Sequence, residues 1–184
     1  MTDLAKWKKI RESVQKIGWR EATEKIFIDP DGNEQSYVTW NRPGLEAAAV
    51  IALTKDNQVV IAQQFRQGPE LIMDDMPGGL LDDNEDPAAA AKRELLEETG
   101  YWTDSPLEPL GFTYRDAYSN IKSYYFLAQN CYQKETPTRL NDEYVVIKLI
   151  DIPAFIENAK QGRMTDQAAV LMAYDRLKEI HQEG

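Results

Sequence analysis

Three carboxylates, Glu94, Glu97 and Glu98, stand at i, i+3 and i+4 in the stretch Arg93-Glu94-Leu95-Leu96-Glu97-Glu98-Thr99-Gly100. A helix puts all three on one face, where like charges at those spacings cost a few tenths of a kcal/mol per pair. A positive charge is needed there, and a divalent cation is the economical one. The donors are hard oxygens, which suit Mg²⁺ or Mn²⁺ and argue against zinc. His181 is the only histidine and Cys131 the only cysteine. Histidine-based zinc sites and Ser-His or Cys-His catalysis are therefore excluded, and the chemistry must run on carboxylates, arginines, tyrosines and metal.

The carboxylates need a helix and something to face it. Pro87 suits the first turn of a helix over residues 86–99, and Gly100 its C-terminal cap. Pro77-Gly78-Gly79 reads as a tight turn through which backbone can approach a metal closely. Upstream, residues 1–16 read as a short charged helix. Residues 19–40 read as a β-hairpin around Asp29-Pro30-Asp31-Gly32. Asn41-Arg42-Pro43-Gly44 then marks a boundary between a subdomain over 1–43 and a domain over 44–184. In the latter, strands are expected at 47–54, 58–65, 70–76, 111–115, 122–128 and 144–150, with 104–110 as a connection. Helices are expected at 153–161 and 166–180, the second with apolar residues at helical period. Strands and helices alternate without a βαβ rhythm, so a mixed sheet between helices fits.

Among 184 residues, 21 are basic and 31 acidic, a net charge of −10. That balance excludes a broad nucleic-acid-binding surface while leaving room for a local basic pocket. A single cysteine precludes an intrachain disulfide and points to a reducing compartment. No apolar run of about 18 residues and no signal segment is visible, so a soluble cytoplasmic protein without membrane contact is expected.

Gly79, five residues, Glu85, seven residues, then Arg93-Glu94-Leu95-Leu96-Glu97-Glu98-Thr99-Gly100-Tyr101 resembles the Nudix box. Tyr101 is a mild departure at its last bulky apolar position. Specified residues at fixed spacing over so long a window make this a strong signal. The resemblance implies the Nudix fold, an α-β-α sandwich with a mixed sheet, here with a small N-terminal antiparallel β-subdomain. It also implies hydrolysis of a nucleoside diphosphate linked to another group. Residues 19–42, Gln64-Phe65-Arg66 and Asn141-Asp142-Glu143 are further similar to the ADP-ribose and nucleotide-sugar pyrophosphatase branch. In that branch the N-terminal sheet is exchanged in a homodimer.

On this resemblance, Glu94 and Glu98 are the first metal ligands, Glu97 a third, and the Gly78 carbonyl joins them. Glu85 and Arg93 support the site through a salt bridge between loop and helix. Glu143 is the candidate general base, with Glu97 its competitor. Trp19 and Tyr37 fall where base-stacking aromatics lie, with Trp40 as the alternative to Tyr37. Arg42 and Arg66 fall where cations meet base or phosphate. Asp116 stands where ADP-ribose hydrolases usually carry a proline, which implies a nucleotide-sugar or broader substrate range. The alternatives are a dinucleoside polyphosphate or NADH as substrate, or a nucleotide-sensing module without catalysis.

Overall fold

The structure is a computed structural model that describes residues 5–137 and 144–183. The chain clusters into two units, Met1–Leu45 with Tyr114–Lys122, and Glu46–Thr113 with Ser123–Gly184.

In the first unit, β1 (Lys8–Ile17), β2 (Arg20–Ile28) and β3 (Glu34–Trp40) form an antiparallel sheet in the order β1-β2-β3. Of the helix expected over residues 1–16, the described part holds strand β1 instead. Ile10, Val14 and Ile17 have helical spacing, but their β-branched side chains suit a strand equally well, and β1 pairs with β2 from Lys8↔Ile28 to Ile17↔Arg20. Gly18, at φ +62°, makes the reversal. All ten residues of β1 are exposed. The segment 114–122 folds onto β3: Trp40 N–H donates to the Tyr118 carbonyl at 2.6 Å, and Asn120 N–H to the Trp40 carbonyl at 3.0 Å. The Asn120 amide adds bonds to the Thr39 hydroxyl at 2.9 Å and the Asn41 carbonyl at 2.6 Å.

The second unit contains β4 (Glu46–Thr54), β5 (Val59–Arg66), β6 (Leu71–Asp75), β7 (Gly78–Leu80), α1 (Pro87–Thr99), β8 (Tyr101–Trp102), β9 (Glu108–Tyr114), β10 (Lys122–Gln133), β11 (Val145–Ile150), α2 (Ile152–Lys160) and α3 (Gln167–Glu183). Its strands make one mixed sheet along β11-β5-β4-β10-β8, with β6 on β5, β7 on β4 and β9 on β10. Two expectations change here. Residues 104–110 are not wholly a connection, because β9 begins at Glu108. Gly78-Gly79 is not a tight turn but the short strand β7, lying on β4 with Gly78 opposite Ala49.

The alternation of β4 sets the layers. Ala49, Ile51 and Leu53 pack with Ile152, Phe155 and Ile156 of α2 and with Ala169, Val170, Ala173, Leu177 and Ile180 of α3. Ala48, Val50 and Ala52 face the other way, against Ala90, Ala91 and Leu95 of α1. A sheet buried on both faces reads as a continuous apolar strand, as β4 does. Each fully buried side chain such as Phe155 or Leu177 contributes about 1.5–3 kcal/mol. Alanines on the α1 side let that helix, and its glutamates, lie close to the sheet.

Candidate active site

Helix α1 is fixed at both ends. Asp86 caps it, its carboxylate accepting from the N–H groups of Ala88 at 3.0 Å and Ala89 at 3.1 Å. At the other end Gly100, at φ 73°, donates to the Leu96 carbonyl at 2.8 Å. A side chain at Gly100 would strike the Glu135 carbonyl oxygen, so glycine is required twice over.

Arg93 organises the acidic face. Its Nε and Nη2 donate to the two oxygens of Glu85, each at 2.9 Å. Nη2 also donates to the Leu80 carbonyl at 3.1 Å, while Nη1 donates to Glu94 at 2.7 Å and Glu97 at 3.2 Å. Five N–H donors thus meet five acceptors, the full capacity of a guanidinium. The bidentate Glu85 pair ties the loop to the helix. Within this arrangement Arg93 supplies the positive charge that offsets the repulsion of Glu94 and Glu97. The Arg93 bond holds the Glu85 carboxyl below the usual carboxylate range. Burial pushes Glu94 up, against the opposing pull of Arg93, and Arg93 itself is raised, first by Glu85.

Glu94 is nearly buried, with its carboxylate against the backbone of Gly79, where a Cβ would overlap it. The Glu98 carboxylate accepts from the Gly78 N–H at 3.0 Å. Val50 N–H donates to the Pro77 carbonyl and Leu81 N–H to the Glu46 carbonyl. By antiparallel alternation the Gly78–Ala49 pair between them is non-hydrogen-bonded, so the Gly78 N–H and C=O both face away from β4. The same edge that receives Glu98 therefore presents the Gly78 carbonyl. Among the described residues no three Asp, Glu, His or Cys side chains are gathered into a metal-holding group. The donor chemistry around α1, carboxylate and carbonyl oxygens alone, fits a hard divalent cation.

Arg66, at the end of β5, is anchored through Nε to Asp75 at 2.6 Å. Asp75 was not legible as a site residue, because its burial and its Thr165 contacts, ninety positions away, come from a distant part of the chain. In the first unit, Tyr37 lines a cavity of about 460 Å³ with Trp7, Lys25, Phe27, Thr39, Ala117 and Tyr118. Its ring lies 6.1 Å from that of Trp7 and 6.2 Å from that of Phe27. Trp40, three residues on, points to the opposite face of β3. Trp19 occupies the β1–β2 turn, 84% exposed with the Arg20 guanidinium 4.3 Å over its ring, and does not line the cavity. Arg42 lies 4.0 Å from Glu21. Glu143 lies outside the described residues. Cys131 is buried and its thiol pushed up to about 12 by burial, so it is no nucleophile.

The family model described as NUDIX domain matches residues 44–171, well over half of the chain. The chain belongs to the NUDIX family. It is an enzyme of the Nudix hydrolase type, and α1 with its Arg93-centred carboxylates is the box of that family. The chain is 30% identical over 161 residues to a methanol dehydrogenase activator of Bacillus methanolicus, covering 84% of this chain and 86% of the relative. It is 28% identical over 155 residues to an ADP-ribose pyrophosphatase of Bacillus subtilis, covering 83% of each. A solved structure described as an ADP compounds hydrolase superposes with a TM-score of 0.79 at 18% identity, over 97% of this chain and 98% of the other, a likeness of fold. Among the described residues no helix of this Nudix protein is long and apolar enough to cross a membrane.

Proposed function

We propose that this Nudix hydrolase cleaves the pyrophosphate bond of a nucleoside diphosphate linked to a sugar, ADP-ribose or a nucleotide sugar. The products are a nucleoside monophosphate and a sugar phosphate. The observation that carries this reading is the complete Arg93-centred carboxylate set on α1, set against Gly78 and Gly79 of β7. The similarity to a Bacillus subtilis ADP-ribose pyrophosphatase over 83% of both chains supports the substrate class.

Glu94, Glu97, Glu98 and the Gly78 carbonyl would hold Mg²⁺, or Mn²⁺ in its place. When bound, such a cation neutralises pyrophosphate charge and lowers the pKa of water. The chain's own groups do the rest. Arg93 and Glu85 keep the carboxylates in place and α1 against its loop. Glu143 or Glu97 takes the proton of the water that attacks phosphorus, as the P–O bond to the departing phosphate breaks. Arg66 meets the diphosphate, and Trp19, Tyr37 and Arg42 serve the base. The enzyme works in the cytoplasm as a homodimer; ten exposed residues of β1 support association through the first sheet.

Incubation with ADP-ribose and Mg²⁺ is expected to yield AMP and ribose 5-phosphate, and Glu98→Gln to lower kcat by about 100-fold or more. Near-normal turnover in Glu98→Gln would overturn the metal assignment. Faster cleavage of NADH or of a dinucleoside polyphosphate would replace the substrate, and nucleotide binding with no product would leave a sensing module.

A further inference from the structure

Asp75 has no exposed surface, yet it carries a charge into the interior. Burying a carboxylate is costly unless its oxygens are filled, and here both are. One accepts from Arg66 Nε at 2.6 Å. The other accepts from the Thr165 N–H at 2.7 Å and the Thr165 hydroxyl at 3.0 Å, from the turn just before α3. A pin between β6 and that turn could be made as well or better by apolar packing, because replacing a buried ion pair with hydrophobic residues is often neutral or stabilising. The use of a carboxylate against a guanidinium therefore asks for a reason.

The geometry of Arg66 supplies one. Its side chain keeps 33% of its exposure. Among the described residues its Nε edge is committed to Asp75 and its two Nη nitrogens donate no hydrogen bond. A guanidinium anchored by one edge presents the remaining N–H groups as a rigid fork, the geometry that matches two oxygens of a phosphate. Asp75 is also three residues from Gly78 along the chain, so the anchor of Arg66 and the glycine beside Glu98 belong to one continuous segment, Asp75-Met76-Pro77-Gly78.

We propose that Asp75, clamped by Thr165, is a positioning residue that holds Arg66 by its Nε edge so that the Nη fork meets a phosphate of the nucleoside diphosphate. This rests on the reading of Arg66 as a substrate cation given above. Asp75 touches no substrate. Its effect passes through Arg66 alone, and that dependence is what an experiment can isolate.

The test compares wild type, Asp75→Asn, Arg66→Lys and the double variant, by KM and kcat on ADP-ribose and by calorimetric titration with ADP. Asp75→Asn and Arg66→Lys are each expected to raise KM and weaken ADP by roughly tenfold, with kcat within about threefold of wild type. The double variant is expected to be no worse than Arg66→Lys, since the two act as one unit. Losses that multiply in the double variant, or an Asp75→Asn that lowers only Tm, overturn the proposal while leaving Arg66 in place. An Arg66→Lys with unchanged KM and ADP affinity instead removes Arg66 from the substrate site, and the proposal with it. Should Asp75→Asn fail to fold, Thr165→Val decides. It removes the hydroxyl and keeps the backbone bond, with an expected KM rise of about two- to threefold and none if the clamp is only structural.

Discussion

A methyl group at Gly79 would overlap the carboxylate of Glu94, while one at Gly78 would lie 2.6 Å from the Ala48 carbonyl oxygen and from the Ala49 Cβ. The two neighbours are therefore glycine for different physical reasons. At Gly79 the obstacle is the far end of a flexible side chain, which can rotate away cheaply, so the fold survives but Glu94 leaves its place. At Gly78 the obstacle is the body of β4, which cannot move without opening the β7–β4 pairing. Gly79→Ala is thus expected to cost activity, about tenfold or more in kcat, with a loss of stability under about 1 kcal/mol. Gly78→Ala is expected to cost about 1–3 kcal/mol of stability. Denaturant titration of both variants beside their kcat values separates the two cases. Equal stability losses would show that Glu94 is as rigidly held as the sheet. Neither effect is visible in the Pro-Gly-Gly sequence, which suggests only a turn.

The hairpin of β2 and β3 is closed by one side chain. Asp29 accepts from the N–H groups of Asp31 at 3.0 Å and Asn33 at 2.8 Å, and from the Gln35 amide at 3.1 Å. The Asn33 backbone N–H, then the Gln35 amide, hold its carboxyl below the usual range. A depressed folded pKa means the contribution of Asp29 is present above its unfolded value, about 3.9, and is lost as pH falls through the lower folded value. Thermal melts of Asp29→Asn against wild type should differ by a constant amount above about pH 5 and converge below it; a gap unchanged in acid would remove Asp29 from the acid limb. The turn was legible because its cause is local, as were the alternation of β5 and the ends of α1, Pro87 in its first turn and Gly100 at its cap. The glutamate face of α1 was legible for the same reason, since i, i+3 and i+4 are neighbours in any helix. What was not legible depends on distant pairing. β1 is a strand because β2 is beside it, and Ile10, Val14 and Ile17 offer a helix equally well on their own. Asp75 gains its meaning from Thr165, ninety positions away. Trp7, Phe27 and Tyr118, on three different segments, line the cavity beside Tyr37, a grouping that no local spacing shows.

At the scale of the molecule, β1 is where charge and apolar surface meet. Lys8, Lys9, Arg11 and Lys16 against Glu12 give it a net charge of +3, four minus one, in a chain whose total is −10. The remainder therefore carries −13. Ile10, Val14 and Ile17 on the same strand are 45%, 47% and 57% exposed. A long exposed strand with apolar side chains invites pairing with another chain. Two copies of an acidic protein repel at long range, but the basic β1 of each is attracted to the acidic body of the other. A homodimer built this way gains from both terms, and its electrostatic part is screened over about 8 Å at physiological salt. The expected outcome in analytical ultracentrifugation is a dimer that weakens as salt is raised. Val14→Glu with Ile17→Glu, which removes apolar area and lowers the charge of β1 from +3 to +1, should give a monomer at concentrations where the wild type is dimeric. A wild type monomeric at every salt concentration would remove the homodimer, whereas a dimer that tightens with salt would mean that apolar burial dominates over the opposite charges of β1 and the rest of the chain.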